Sequence, residues 1–167
     1  QELLRYVPGE GDSLYRRSMY TFLRRTSPPP SMSTFDAPNR STCVVQREAT
    51  NTPLQALVLL NDPQFVEAAR VLAERVALAK DAPDEQIAEV FGRLAGRTPS
   101  AAEAEALSNF YEASRARYEA SPEAAAKLLS VGAHERRTGD EHADAEVAAL
   151  TLVASTVMNY DAFYMER

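Results

Sequence analysis

The sequence has 167 residues, of which 45% are hydrophobic and 25% charged, and this composition predicts a folded chain with a sizeable core rather than a disordered one. The formal net charge of −6 argues against a general nucleic-acid binder, which needs clustered positive charge to displace counterions from phosphates. A single cysteine excludes an internal disulfide, and the sequence contains neither the CxxC spacing of zinc sites nor a CxxCH haem-attachment motif.

The charge is unevenly distributed along the chain. Residues 1–60 contain seven arginines and no lysine against five acidic residues, which gives +2, whereas residues 61–167 contain eleven basic and nineteen acidic residues, which gives −8. Internal ion pairs are the commoner use of such arginines, and an arginine-lined surface near the N-terminus is the alternative.

The first forty residues hold three predicted segments. Residues 1–12 are expected to be a tail or linker. RRSMYTFLRR (16–25) is predicted to be a helix, although its aromatic and β-branched residues also suit a strand. SPPPSMSTFDAPNR (27–40) is not expected to form regular helix, because consecutive prolines favour an extended path. We expect this proline-rich loop to be ordered as a strap across helix ends, with a functional loop as the alternative.

Prolines then predict a series of helix starts. A side-chain oxygen just before a proline can cap a helix, and proline at the first helical position loses nothing by lacking an N–H. Four pairs fit this pattern: Thr52 with Pro53, Asp62 with Pro63, Thr98 with Pro99, and Ser121 with Pro122. Pro83 marks a fifth start. Gly96 and Gly132 are expected to turn left-handed where helices end.

The spacing of apolar residues predicts an all-α fold, a compact multi-helix bundle forming a single domain over 13–167. After Asp62, apolar residues recur at helical spacing, with Glu67, Arg70 and Glu74 on other faces. Residues 144–160 and 53–60 are apolar around nearly their whole circumference, so these two helices are expected at the middle of the core.

Polar residues around the Pro53 start suggest a network. Thr52 has a capping task, but Thr50, Asn51 and Gln55 have no local one, and buried polar groups must find partners. The candidate partners from the preceding loop are Asp36, Arg40 and Arg47. We favour a structural clamp that locks the loop onto the helices. The alternative is a cleft for an anionic or sugar-like ligand, with hydrolysis as its chemistry.

Other reactive residues give weaker patterns. Cys43 lies between Arg40 and Arg47, whose charge would favour a thiolate, but we expect a buried, inert thiol. His134 and His142 could join Asp140, Glu141 and Asp144 around a metal, yet their spacing is no recognised ligand frame, so we expect a solvated loop. We therefore predict no catalytic residue and no metal.

Several segments resemble a known family. FDAPNRSTC (35–43) and TNTPLQALVLLNDP (50–63) are the most specific, and the resemblance extends from residue 16 to NYDAF (159–163). These segments resemble the planctomycete PSD-type domain, the domain-of-unknown-function family fifteen-fifty-three. The family typically ends in Asn-Leu-Asp-Glu-Phe, so the departure at Ala162 removes any role for an acid there.

The resemblance implies a context rather than an activity. The family has no established activity, and its members are typically C-terminal parts of long, exported bacterial proteins with cytochrome-c-like domains. It implies that this chain is a fragment, that its place is extracytoplasmic (periplasm or cell surface), and that haem would lie in other domains of the parent protein. Its partners would be those other domains.

We accordingly expect a non-catalytic interaction or structural module that inserts into no membrane. Aromatic and arginine side chains are typical interface anchors, and they concentrate near the N-terminus. The predicted docking segment contains Tyr15, Arg16, Arg17, Tyr20, Phe22, Arg24 and Arg25. The alternative is that Tyr15, Tyr20 and Phe22 are ordinary core residues.

Overall fold

The computed structural model describes residues 6–7, 9–24, 26–38, 42–46, 49–136, 143–160 and 163. Helices are the regular structure of these residues, which contain no strand, and the predicted all-α class is confirmed. The α-helices given by the described residues are α1 (Pro30–Thr34), α2 (Pro53–Asn61), α3 (Pro63–Ala77), α4 (Pro83–Ala95), α5 (Ala101–Glu119), α6 (Pro122–Leu129) and α7 (Asp144–Met158). In the same part of the chain, the 3₁₀ turns Gly11–Tyr15 and Ser18–Tyr20 precede them.

The backbone divides into two compact units, residues 1–58 and 59–167. The single domain predicted over residues 13–167 stays a prediction. In the second unit α7 is the central helix, and it packs against α3, α4, α5 and α6. Val147, Val153 and Val157 of α7 are completely buried, as predicted for a helix enclosed by others.

Most of the proline-marked starts are confirmed. Proline is the first residue of α2, α3, α4 and α6. The expected start at Pro99 is wrong because α5 begins at Ala101. There the Ser100 hydroxyl accepts from the Glu103 N–H (3.4 Å) and the Glu103 carboxylate accepts from the Ser100 N–H (2.8 Å). This reciprocal capping box satisfies two backbone donors at once, which a cap at Thr98 would not.

The helix ends and one cap differ in detail from the predictions. Gly96 ends α4 in the left-handed conformation at φ 70°, as expected. Gly132 also has a positive φ, 102°, but it follows the end of α6 at Leu129 by three residues. Ser121 precedes α6 without capping it through its side chain.

Two predictions for the first unit are wrong. The described part of residues 16–25 contains the Ser18–Tyr20 turn and no α-helix. Most of its side chains are exposed, so no buried apolar face offsets the entropy cost of forming a helix. The proline-rich loop, in turn, contains the short helix α1. Pro30 is its first residue, a position at which proline costs no hydrogen bond.

The expected position of α2 is also wrong, and charged residues of α3 are buried. Leu54, Leu57 and Leu60 of α2 are 56%, 55% and 48% exposed, so α2 does not lie at the middle of the core as predicted. On α3, Glu67, Arg70 and Glu74, which were expected on faces other than the apolar one, are buried. A helix that is apolar all round does not specify which face is covered, and charged residues can be buried when paired.

Candidate functional site

The end of α1 fixes the backbone around Asp36. The Phe35 N–H donates to the Ser31 carbonyl (3.0 Å) and the Ala37 N–H donates to the Met32 carbonyl (2.9 Å). Asp36 lies between them in the left-handed region at φ 58°, which Asp tolerates better than most residues. The second bond spans six residues, as in a Schellman ending, so the chain turns sharply at Asp36.

Thr50 binds the carboxylate of Asp36. Its N–H donates to Oδ2 at 2.8 Å, and its hydroxyl lies 2.9 Å from Oδ1 and 2.8 Å from Oδ2. Hydrogen bonds to a charged acceptor are stronger than neutral ones. This contact joins the turn at the end of α1 to the residues just before α2.

Gln55 completes the network from the first turn of α2. Its side chain is 1% exposed. Oε1 accepts from the Thr52 N–H (2.8 Å), while the Gln55 N–H lies 3.3 Å from the Thr52 hydroxyl, which is a capping box. Nε2 donates to the carbonyl of Thr34, the last residue of α1 (2.9 Å), and lies 3.2 Å from the Thr50 hydroxyl.

We name Asp36, Thr50, Thr52, Gln55 and the carbonyl of Thr34 the clamp. Of the six predicted network residues, the structure brings Asp36, Thr50 and Gln55 together. Asn51 is exposed beside them. Arg40 and Arg47 lie outside the described residues. Because Thr50 and Gln55 already donate to the Asp36 carboxylate, the clamp is suited to holding α1 against α2 rather than to acid–base chemistry.

The docking segment is exposed. Tyr15, Tyr20 and Phe22 are 56%, 62% and 80% exposed, so the alternative that they are core residues is wrong. The guanidinium carbons of Arg17 and Arg24 lie 6.0 Å from the ring centroids of Tyr20 and Phe22, at the outer limit of cation–π contact. Arg16, Arg17 and Arg24 are exposed, and Arg25 lies outside the described residues.

A groove lies beside this segment in the same unit. Its volume is about 290 Å³. The side chains and backbone that line it come from the Ser18–Tyr20 turn, the residues that follow it, and the end of α1: Ser18, Met19, Thr21, Leu23, Met32, Phe35, Ala37 and Pro38. Phe35 and Ala37, which flank Asp36 in the turn that the clamp holds, therefore also line the groove.

The remaining candidate residues do not form a reactive site among the described residues. Cys43 is exposed, which corrects the expectation of a buried thiol. The Nδ1 of His134 lies 2.8 Å from the Glu135 carbonyl, and His142, Asp140 and Glu141 fall outside the described part of the chain. Within that part, no group of three His, Cys, Asp or Glu side chains could hold a metal, and no helix is both long and apolar enough to span a bilayer.

Sequence reasoning missed a second polar network, which lies in the second unit. Arg70 is 1% exposed, and its guanidinium donates to Glu74 (2.6 Å) and to the carbonyls of Val131 (3.3 Å) and His134 (2.7 Å). Glu67 accepts from the Ala133 N–H at 2.6 Å. These contacts attach α3 to the segment after α6. The signal was present, because 67, 70 and 74 are spaced as residues of one helix face.

Two ion pairs shift the pKa values of partly exposed carboxyl groups. The hydrogen bond from Arg97, with those from Ser100, lowers the pKa of Glu103 to about 2. The hydrogen bond from Arg136 lowers the pKa of Asp144 below its usual value. Burial raises the pKa of Tyr111. Both ion pairs lie near helix starts, at α5 and α7, where a carboxylate also interacts favourably with the helix dipole.

Comparison with known proteins gives one match. Residues 1–111, two thirds of the chain, match the model of a family described as PSD1, protein of unknown function (DUF1553). The match includes the docking segment, the groove and the clamp but ends within α5. The resemblance predicted for residues 149–163 lies beyond it. No curated protein and no solved structure is similar enough to match.

Proposed function

This chain belongs to the PSD1 family of proteins of unknown function (DUF1553), and we propose that it is a non-catalytic interaction module that docks on another domain of the same parent protein. The docking segment makes the contact, and the clamp holds the end of α1 beside it. We also propose, from the family resemblance, that the module belongs to an extracytoplasmic parent protein that carries cytochrome-c-like domains. Haem would then belong to those domains.

One observation carries the proposal, namely the exposure of large apolar side chains within a few residues of one another. Tyr15, Met19, Tyr20 and Phe22 are all more than half exposed. Covering one such side chain contributes about 1.5–3 kcal/mol, so a set of exposed large apolar side chains this close in sequence favours a surface that another molecule covers. Arginine is also enriched among residues that dominate binding energy, and Arg16, Arg17 and Arg24 are interspersed here.

The alternative, a cleft for an anionic or carbohydrate ligand at Asp36, Arg40, Arg47 and Asn51, has less support. The Asp36 carboxylate receives hydrogen bonds from Thr50 and Gln55 within the chain. A ligand would have to displace them, and losing hydrogen bonds to a charged group costs about 1.5–3 kcal/mol each. No observation on the described residues favours hydrolysis over structural use.

The experiment adds this chain in trans to the rest of the parent polypeptide and measures binding by interferometry. We expect Phe22→Ser to weaken binding at least about tenfold, as for an interface anchor. The matched control is Phe110→Ser on α5, because Phe110 is a surface phenylalanine, 39% exposed, in the other unit. Circular dichroism checks that both variants keep their helix content.

Two results would count against the proposal. In the first, the wild-type chain binds no other part of the parent polypeptide. In the second, binding occurs but Phe22→Ser and Phe110→Ser behave alike, so that the docking segment makes no contribution.

A further inference from the structure

We infer that the groove of the first unit binds an acidic peptide segment that inserts an aromatic or large aliphatic side chain. This inference rests on the proposed function and names the chemistry of the partner. The occupant follows from three properties of the groove, which are its size, its lining and the charge around it.

The size of the groove suits side chains rather than a whole cofactor. A cavity of about 150 Å³ holds one benzene molecule, so the 290 Å³ of this groove corresponds to about two groups of that size. Pockets for drug-sized ligands extend from about 300 to 1,000 Å³. The volume therefore fits one aromatic side chain with a neighbouring aliphatic one.

The lining is apolar and adaptable. Met19, Leu23, Met32 and Phe35 contribute long apolar side chains, and Ser18 and Thr21 contribute the hydroxyls. Among the described residues, none of those that line the groove is charged, which favours an apolar occupant. Methionine side chains are flexible and polarisable, and they are common in grooves that accept apolar peptide side chains of varied shape.

The charged residues within the segment that supplies most of the groove have one sign. Every charged residue from 13 to 35 is an arginine. Arg17 and Arg24 directly adjoin the lining residues Ser18 and Leu23 in sequence, and both arginines are exposed. Asp36, the next acid along the chain, is partly buried, and its carboxylate accepts hydrogen bonds from Thr50 and Gln55 in the clamp, whereas these arginines face solvent. A partner that matches an apolar groove with an arginine margin is an apolar side chain flanked by Asp and Glu.

The test uses the full chain and a fluorescein-labelled eight-residue peptide in which Asp and Glu surround adjacent Phe and Leu residues. Fluorescence anisotropy measures its binding. Two control peptides replace either the Phe and Leu by Ser or the acids by Lys. We expect the first control to bind at least tenfold more weakly, the second to show no binding, and the affinity of the parent peptide to fall with added salt.

Variants locate the binding. Leu23→Asp, which places a negative charge in the groove wall, and the double variant Arg17→Glu with Arg24→Glu are each expected to weaken peptide binding at least tenfold. Arg75→Glu is the matched control, because Arg75 is an exposed arginine on α3 in the other unit. Equal binding of the acidic and lysine peptides, or of Arg75→Glu and the double variant, would overturn the inference.

The outcome separates this inference from the proposed function. If the parent polypeptide binds through Phe22 but the acidic peptide does not bind and Leu23→Asp leaves docking unchanged, the inference fails and the proposed function stands. If the peptide binds as expected but no parent domain does, the inference stands and docking within the parent fails. If sedimentation shows a dimer of the chain that Leu23→Asp dissociates, a second copy occupies the groove and the acidic-peptide partner is wrong.

Discussion

Replacing Gln55 by alanine tests the clamp directly. The amide nitrogen of Gln55 has two hydrogens, which are shared among the Thr34 carbonyl, the Thr50 hydroxyl and the more distant Asp36 carboxylate, while its oxygen accepts from the Thr52 N–H. The substitution therefore removes three hydrogen bonds from a side chain that is 1% exposed. At about 1 kcal/mol each, the loss is about 3 kcal/mol. Because the clamp lies in the first unit, the loss should mainly loosen that unit.

Gln55→Glu separates the clamp from the helix cap. Glutamate at the third helical position preserves the acceptor of the capping box and is favoured by the helix dipole, so a capping role alone predicts no loss of stability. In the clamp, however, a carboxylate cannot donate to Thr34 and would lie beside Asp36, whose Oδ2 is 3.4 Å from the Gln55 amide. We expect Gln55→Glu to be at least as destabilising as Gln55→Ala at pH 7.

The assay is thermal unfolding followed by circular dichroism, with hydrogen exchange of residues 30–56 read by mass spectrometry. The matched control is Gln64→Ala, which changes an exposed glutamine in the first turn of α3. We expect faster exchange in the Gln55 variants and wild-type behaviour in the control. A Gln55→Glu variant as stable as the wild type would refute the clamp and leave only a cap.

Two further predictions concern the second unit. Gly132→Ala should destabilise the protein by about 3 kcal/mol, because a Cβ there would lie 2.1 Å from the buried Glu67 carboxylate and the backbone has φ 102°. Gly92→Ala in α4 should be neutral or stabilising, because the nearest atom to a Cβ there is 3.9 Å away. Urea titration measures the stability of both variants, and equal changes in the two would contradict this account. For Glu103, a pKa lowered from 4.5 to about 2 means that its contribution to stability is fully present above pH 4.5 and is lost as pH falls through 2. The stability difference between wild type and Glu103→Gln should therefore shrink between pH 5 and pH 2 in urea titrations, and a difference independent of pH would count against the pairing with Arg97.

The sequence predicted the parts of the fold that depend on local chemistry. Helix starts at Pro53, Pro63 and Pro122 follow from a proline at the first helical position. The energetic effect of proline at that position depends on the first turn alone. The enclosed character of α7 follows from its apolar circumference. The failure at Pro99 was also local, because the stronger pair of Ser100 and Glu103 was visible in the sequence as a capping box.

Burial was harder to predict because it depends on distant partners. Nothing in α2 itself indicates that Leu54 is exposed and Gln55 buried, since that choice depends on which face α1 covers with the Thr34 carbonyl. The same applies to Arg70, which becomes a core residue because carbonyls from residues 131 and 134 approach it. The capping role of Gln55 was readable from Thr52 three residues earlier, but its bond to α1 was not.

Few side chains of the first unit are buried, and this determines how the unit should respond to denaturant. Among its described residues, Pro29 and Gln55 alone are buried, so the clamp rather than an apolar core supplies most of its order. Opening such a region exposes little new apolar surface, and both the heat-capacity increment and the denaturant slope scale with newly exposed surface. The first unit should consequently loosen gradually over a broad range of urea, in a transition of low cooperativity.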